Sequence, residues 1–159
     1  MNIIPLNRDF IQETSLLTIE VISSLEGIYS KEAREKESKK FTPEDLKNRI
    51  ADPNCMDFIV VEDDKVVGFI YGVLDANILF IQWVGIHFSY RKKNIMKSLL
   101  YYTENICKAN NISKIWLDTN CKNKPAMKFF NKNGFTKLTK VTNFWYGHDY
   151  YFWIKQLNK

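Results

Sequence analysis

Arg91-Lys92-Lys93-Asn94-Ile95-Met96-Lys97 places one arginine and three lysines within seven residues. Ile78 to Phe88 before it is an apolar, strand-like run. Asn94 to Ala109 after it carries Ile95, Leu99, Tyr102 and Ile106 on one face of a helix-like pattern. A strand that feeds a basic turn and then a helix can grip phosphate. The first helical turn has N–H groups without intrahelical partners, and the helix dipole favours an anion there. The alternative is a solvated helix cap. The segment contains no glycine. Two further places carry reactive groups. Asp118 ends a short apolar run from Lys114, where a carboxylate can cap the following helix or pair with a lysine. Tyr146, His148 and Asp149 cluster near the C-terminus, where a tight polar turn is the simplest reading. His87 and His148 are the only histidines, and a lone histidine is a base less often than a structural residue.

The bulk composition sets bounds on the rest. The chain has 159 residues, which suits one domain over 1–159. Hydrophobic content is 45% and charged content 26%, ordinary globular usage. Aromatics reach 14%, which favours a sheet with a bulky core. A net charge of +5 suits an anionic ligand, but no recognition helix or aromatic RNA platform accompanies it, so nucleic acid is not expected as a partner. Cys55, Cys107 and Cys121 are odd in number and lack C-x-x-C spacing, which argues against a disulfide framework or a metal cluster and fits a reducing cytosol. Met1 to Pro5 lacks the regions of a signal peptide, and no apolar run reaches the roughly 18 residues of a membrane span. A cytoplasmic protein without a membrane partner is the expectation.

Turn and cap signals divide the chain into elements. Residues 3–6 suit a short strand, and Asp9 to Leu25 an amphipathic helix of imperfect spacing. Ser30 to Lys40 is almost entirely charged, with Glu32/Lys36 and Glu35/Lys39 as i,i+4 pairs, and reads as a solvated helical extension or connector. Thr42-Pro43-Glu44-Asp45 is a helix start, and Pro53 sets the end near Ala51. Asp57–Glu62 and Lys65–Val73 around Asp63-Asp64 read as a hairpin. Lys114–Asp118 is a short strand, and Lys124–Lys132 a helix stopped by Asn133-Gly134. Phe135 to Leu157 holds two strands broken around Gly147-His148-Asp149. Trp116, Trp145, Trp153, Phe129 and Phe152 suit core or sheet-face positions. A hairpin half followed by strand–helix–strand units predicts an α/β (α+β) fold: a mixed sheet with helices on both faces.

At this point two blocks resemble the GNAT superfamily of N-acetyltransferases. Ile86-His87-Phe88-Ser89-Tyr90-Arg91-Lys92-Lys93-Asn94-Ile95-Met96-Lys97-Ser98-Leu99-Leu100 is similar to V-x-P-x-Y-R/Q-x-x-G-x-G-x-x-L-L. Trp116 to Phe135, with Asp118, Asn123, Ala126, Phe130 and Gly134-Phe135 in place, is similar to W-L-E/D-x-x-x-x-N-x-x-A-x-x-F/L-Y-x-x-x-G-F. The resemblance implies a GNAT-like, mostly antiparallel twisted sheet with a central parallel strand pair. It implies acetyl-CoA as cosubstrate and an amine-bearing acceptor, either a small molecule or a protein, with a homodimer left open. By position, Val84, Gly85 and Ile86 meet pantetheine, while Arg91, Lys92, Lys93, Asn94, Ile95, Met96 and Lys97 meet pyrophosphate. Asn123 bonds the pantetheine region. Asp118 falls where ribosomal-protein N-terminal acetyltransferases carry a glutamate base. Tyr146 lies where they hold substrate aromatics.

Three departures locate questions. Asn94 and Met96 replace the glycines of the pyrophosphate turn. Asparagine tolerates a left-handed backbone, whereas a Met96 side chain crowds the diphosphate unless it points into the sheet. Phe130 occupies the place where many members carry a tyrosine acid, and it has no hydroxyl. Either the thiolate leaves unassisted, or water or Tyr146 substitutes, or the chain is a weak or inactive CoA- or partner-binding relative.

Overall fold

A computed structural model describes residues 1–157. Its elements are β1 Asn2–Pro5, a 3-10 turn Arg8–Phe10, α1 Ile11–Ser23, α2 Lys31–Ser38, α3 Pro43–Ala51, β2 Cys55–Glu62, β3 Lys65–Asp75, β4 Ile78–Ile86, α4 Ile95–Ala109, β5 Lys114–Asn120, α5 Lys124–Lys132, β6 Thr136–Val141 and β7 Tyr150–Gln156.

Local chemistry explains the boundaries. At α3 the Thr42 hydroxyl accepts the Asp45 N–H at 3.2 Å, and the Asp45 carboxylate accepts the Thr42 N–H at 3.0 Å. This capping box satisfies two donors that the helix cannot, and Pro43 loses nothing at the first position. Asp63 and Asp64 both adopt positive φ, 50° and 58°, which matches the twist of a two-residue hairpin joining β2 to β3. Gly134, at φ 84°, closes α5.

Among the described residues the strands form a seven-stranded sheet in the order β1-β2-β3-β4-β5-β7-β6. Only β4 and β5 pair in parallel, with α4 as the crossover that parallel pairing needs. Helices α1 and α3 cover one face, burying Ile22, Leu46, Ile59, Phe69 and Tyr71. Helices α4 and α5 cover the other, burying Leu99, Leu100, Phe130, Ile70, Leu79 and Leu117. Each such side chain contributes roughly 1.5–3 kcal/mol by leaving water.

The structure amends several expectations. The first helix opens as a 3-10 turn, and Leu16 on it is 68% exposed. Glu32 does pair with Lys36, at 2.6 Å, but Glu35 pairs with Lys31 at 3.8 Å rather than with Lys39. Trp145 is 48% exposed, on a surface turn, because its segment lies outside the sheet. The last strand, β7, inserts between β5 and β6 and leaves β6 as the edge, solvent-facing from Thr136 to Lys140.

One irregularity shapes the centre of the sheet. Tyr71 pairs with Trp83 and Gly72 with Ile81, so Gln82 is an extra residue on β4. The parallel pairing of β4 with β5 stops at Ile81 opposite Leu117, at that same bulge.

Candidate active site

Beyond the bulge the two central strands part. Trp83–Ile86 stay bonded to β3, and Asp118–Asn120 stay bonded to β7. Between them lies a notch, with one edge of β4 lacking a strand partner. Gly85 lies within that wall. A Cβ there would sit 2.5 Å from the Phe69 ring and 2.9 Å from Val21, so glycine is what lets α1 pack so close behind the notch. Val84 and Ile86 turn their side chains to the α4 side, against the core.

The basic turn crosses one end of the notch. Asn94 adopts φ 60°, ψ 11°, the left-handed geometry expected of it, and Lys92 is left-handed too at φ 65°. No side chain caps α4, whereas Ser30, Thr42 and Asn123 cap α2, α3 and α5. The first helical bond is from the Ser98 N–H to the Asn94 carbonyl, at 3.0 Å. The N–H groups of Ile95, Met96 and Lys97 are therefore open. Arg91, Lys92, Lys93 and Lys97 are exposed around them. The Arg91 Nε donates to the Ile86 carbonyl at 3.3 Å, and Lys93 lies 4.7 Å over the Tyr90 ring. Ile95 is buried and Met96 partly buried against the core, so both side chains leave the turn's outer surface to the backbone.

The opposite face of the notch carries acid and aromatic groups. Asp118 is half-buried, and its carboxylate makes no hydrogen bond among the described residues. Burial first, and the charge of Glu37 second, push its pKa up to about 6. Glu37 comes from α2 and ties three elements together. It accepts from the Tyr146 hydroxyl at 2.8 Å, from Lys40 at 2.6 Å and from the Trp83 Nε1 at 3.3 Å. Tyr146 holds φ 51°, ψ 34°, unusual for a bulky residue. Tyr29, from the α1–α2 connection, stands 6.0 Å from Trp83 and 6.2 Å from His148. Burial raises the pKa of Tyr29 steeply and pushes that of Tyr150 up to about 12, so both stay protonated.

An open strand edge, an uncapped helix in a basic turn and an unpaired carboxylate make a site for a long anionic ligand and a second reactant. Residues 22–135 match the acetyltransferase (GNAT) family model. The chain belongs to the acetyltransferase (GNAT) family. It is thus an acetyl-CoA-dependent acetyltransferase. Solved GNAT structures share its fold. The PaiA N-acetyltransferase of Thermoplasma acidophilum, in complex with coenzyme A, is similar at TM-score 0.83 and 24% identity, over 98% of this chain and 99% of that one. The ribosomal-protein-S18-alanine N-acetyltransferase of Escherichia coli gives 0.74 and 13%, over 99% and 94%. Ard1 of Thermoplasma volcanium gives 0.76 and 17%, over 99% and 98%. Among curated proteins nothing matches.

Within this GNAT fold the residues singled out from sequence divide by place. Val84, Gly85 and Ile86 line the open edge, and Arg91 to Lys97 form the turn at its end. Asp118 is the first residue of β5 past the end of its pairing with β4, held opposite Phe152 of β7. Asn123 follows, with its Oδ1 accepting the Ala126 N–H at 3.2 Å as the cap of α5. Phe130 is 5% exposed and packs edge-to-face on Phe129 and Phe135, so its ring is core. Tyr146 stands over α2. The His87 Nδ1 accepts the Ser89 N–H at 3.3 Å, and its Nε2 lies 3.6 Å from Glu20, away from Asp118. Sequence reasoning missed Glu37, Tyr29 and Trp83. Two signals pointed toward them: Glu37 is the acid in its helix left over from the i,i+4 pairs, and Tyr29 is the lone aromatic of a short connector.

Proposed function

We propose that this acetyltransferase moves the acetyl group of acetyl-CoA directly onto a primary amine, with Asp118 as the base. The observation that carries the reading is the unpaired, half-buried Asp118 carboxylate at the mouth of the notch. Backbone groups of Val84, Gly85 and Ile86 suit the linear amides of pantetheine. The open N–H groups of Ile95, Met96 and Lys97, with Arg91, Lys92, Lys93 and Lys97, suit the diphosphate. Asn94 supplies the turn geometry, and Asn123 keeps its amide N–H groups for the ligand. Phe130 supports the wall below. Acetyl-CoA brings an activated thioester and a tolerable leaving group, since a thiol titrates near about 8.5.

The acceptor comes from the Glu37 side. An ordinary amine, with a pKa near about 10.4, arrives protonated and must lose its proton before attack. The two carboxylates draw the ammonium in. Asp118, ionised above about pH 6, takes the proton. Phe130 cannot return a proton to the thiolate, so water or the Tyr146 hydroxyl does so. The acceptor is a protein N-terminus, a lysine or a small-molecule amine.

Thiol release from acetyl-CoA over a panel of these three amine classes is the test, alongside calorimetric titration of acetyl-CoA. Saturable, amine-dependent release with at least one class supports direct transfer. Tight acetyl-CoA binding without release on every amine refutes it and leaves a binding module.

A further inference from the structure

The bulge at Gln82 is bound on both sides by one arginine that stands outside the notch. Arg49, on α3, uses its whole guanidinium. Its Nε and Nη2 donate to the two Asp57 carboxylate oxygens, each at 2.7 Å. Its Nη2 also reaches the Gly72 carbonyl at 3.2 Å, and its Nη1 donates to the Gln82 Oε1 at 2.9 Å. Asp57 in turn accepts the Gly72 N–H at 3.1 Å. Gly72 is the residue on β3 at which the register shifts. Both its backbone polar groups thus bond this charged pair. The guanidinium lies 5.2 Å over the Tyr71 ring, on the other side of the shift. The Arg49 side chain is 15% exposed and that of Asp57 5%, so the fork is held in a low-dielectric setting.

A bulge of this kind has a competing state. One residue of slippage restores ordinary pairing and turns every later side chain of β4 to the other face. Such slippage would carry Trp83 away from Glu37 and push Val84 toward α1. Arg49 opposes this, because its bonds to Gly72 and to Gln82 join the two strands across the shift in the bulged register. We propose that Arg49, held by Asp57, is a positioning residue that locks the Gln82 bulge and so keeps the edge of β4 open for the acetyl donor. The inference rests on the reading that acetyl-CoA lies along that edge, and it reaches a helix that the reading does not involve.

The test compares Arg49→Lys and Gln82→Ala with the unaltered protein, without ligand and with acetyl-CoA. Lysine keeps the charge opposite Asp57 but not the fork. Gln82 is exposed, so its truncation spares the core and leaves the ion pair intact. Amide hydrogen exchange over Gln82–Ile86 is expected to speed up about tenfold in Gln82→Ala, the cost of one lost bond to a charged group, and by more in Arg49→Lys, which gives up several, while the amides of β7 keep their rates. The acetyl-CoA Kd should rise by about the same factor. Unchanged exchange at Gln82–Ile86 in folded Gln82→Ala overturns the proposal, as does faster exchange spread evenly over the sheet. If the unaltered protein fails to bind acetyl-CoA, the donor reading falls, and the exchange rates alone decide whether Arg49 locks the bulge.

Discussion

Replacing Asp118 with asparagine should make the protein more stable and nearly inactive, an opposition of sign that few other roles produce. Burial and the Glu37 charge raise the carboxyl from an ordinary 3.8 to about 6. That difference costs the ionised form roughly 3 kcal/mol, at about 1.36 kcal/mol per tenfold in proton affinity. The sign follows from proton counts. Between about pH 4 and pH 6 the folded chain holds a proton that the unfolded chain has lost. Stability from this group therefore falls as pH rises through that window, and the full penalty is present above about 6. Asparagine has nearly the same shape and no charge. We expect Asp118→Asn to gain about 1–3 kcal/mol over the unaltered protein at about pH 7.5, and only about a third of that at about pH 4.5, where most of the folded chain's Asp118 still holds its proton. Urea denaturation at the two pH values measures this directly. Thiol release should drop by about 100- to 10,000-fold, the usual worth of a positioned base. An equal stability change at both pH values would show that Asp118 is not held against its charge. A rate within about threefold of the unaltered protein would remove it as the base.

Three further outcomes follow from the same geometry. Glu37→Gln removes the like charge that helps raise Asp118, so the acid limb of the pH–rate profile should move to lower pH; a limb that stays in place separates the two carboxylates. Joint replacement Lys93→Gln and Lys97→Gln should raise the acetyl-CoA Kd about tenfold at low ionic strength and less at high salt, as titrations across a salt series would record. Met96→Gly should cost about 2 kcal/mol of folding stability through lost packing and helix propensity, yet leave the acetyl-CoA Kd within about twofold, because the side chain already points to the core. A marked tightening would mean that Met96 crowds the diphosphate after all.

What sequence could and could not reveal follows the range of the interactions concerned. The bounds of α5 are set by a local cap at Asn123 and a stop at Gly134, and both are legible as spacing. The left-handed Asn94 is likewise a matter of one residue's backbone. The Thr42–Asp45 box needs only four consecutive residues. Glu37 is different. Its partners Trp83 and Tyr146 lie 46 and 109 positions away, and no local pattern ties a charged helix to either. The helical spacing of α2 correctly announced a solvated surface, and one acid within it turned inward. The Gln82 bulge is hidden for a similar reason: the groups bonded around it, Arg49, Asp57 and Gly72, meet only in space. The place of β7 between β5 and β6 is a choice among topologies that strand propensity does not rank.

The edge strand β6 bears on how the protein behaves at high concentration. An unpaired strand facing water is a template onto which another chain can add its own. Here the template is spoiled in three ways. Leu138 is an extra residue against β7, which kinks the strand and breaks its repeat. Lys137 lies 4.3 Å over the Tyr151 ring, and Lys140 pairs with Asp149 at 2.7 Å. A second chain docking along this edge would have to straighten the kink and strip water from two ammonium groups. The sheet can thus end in an open strand and still resist growing into a fibre.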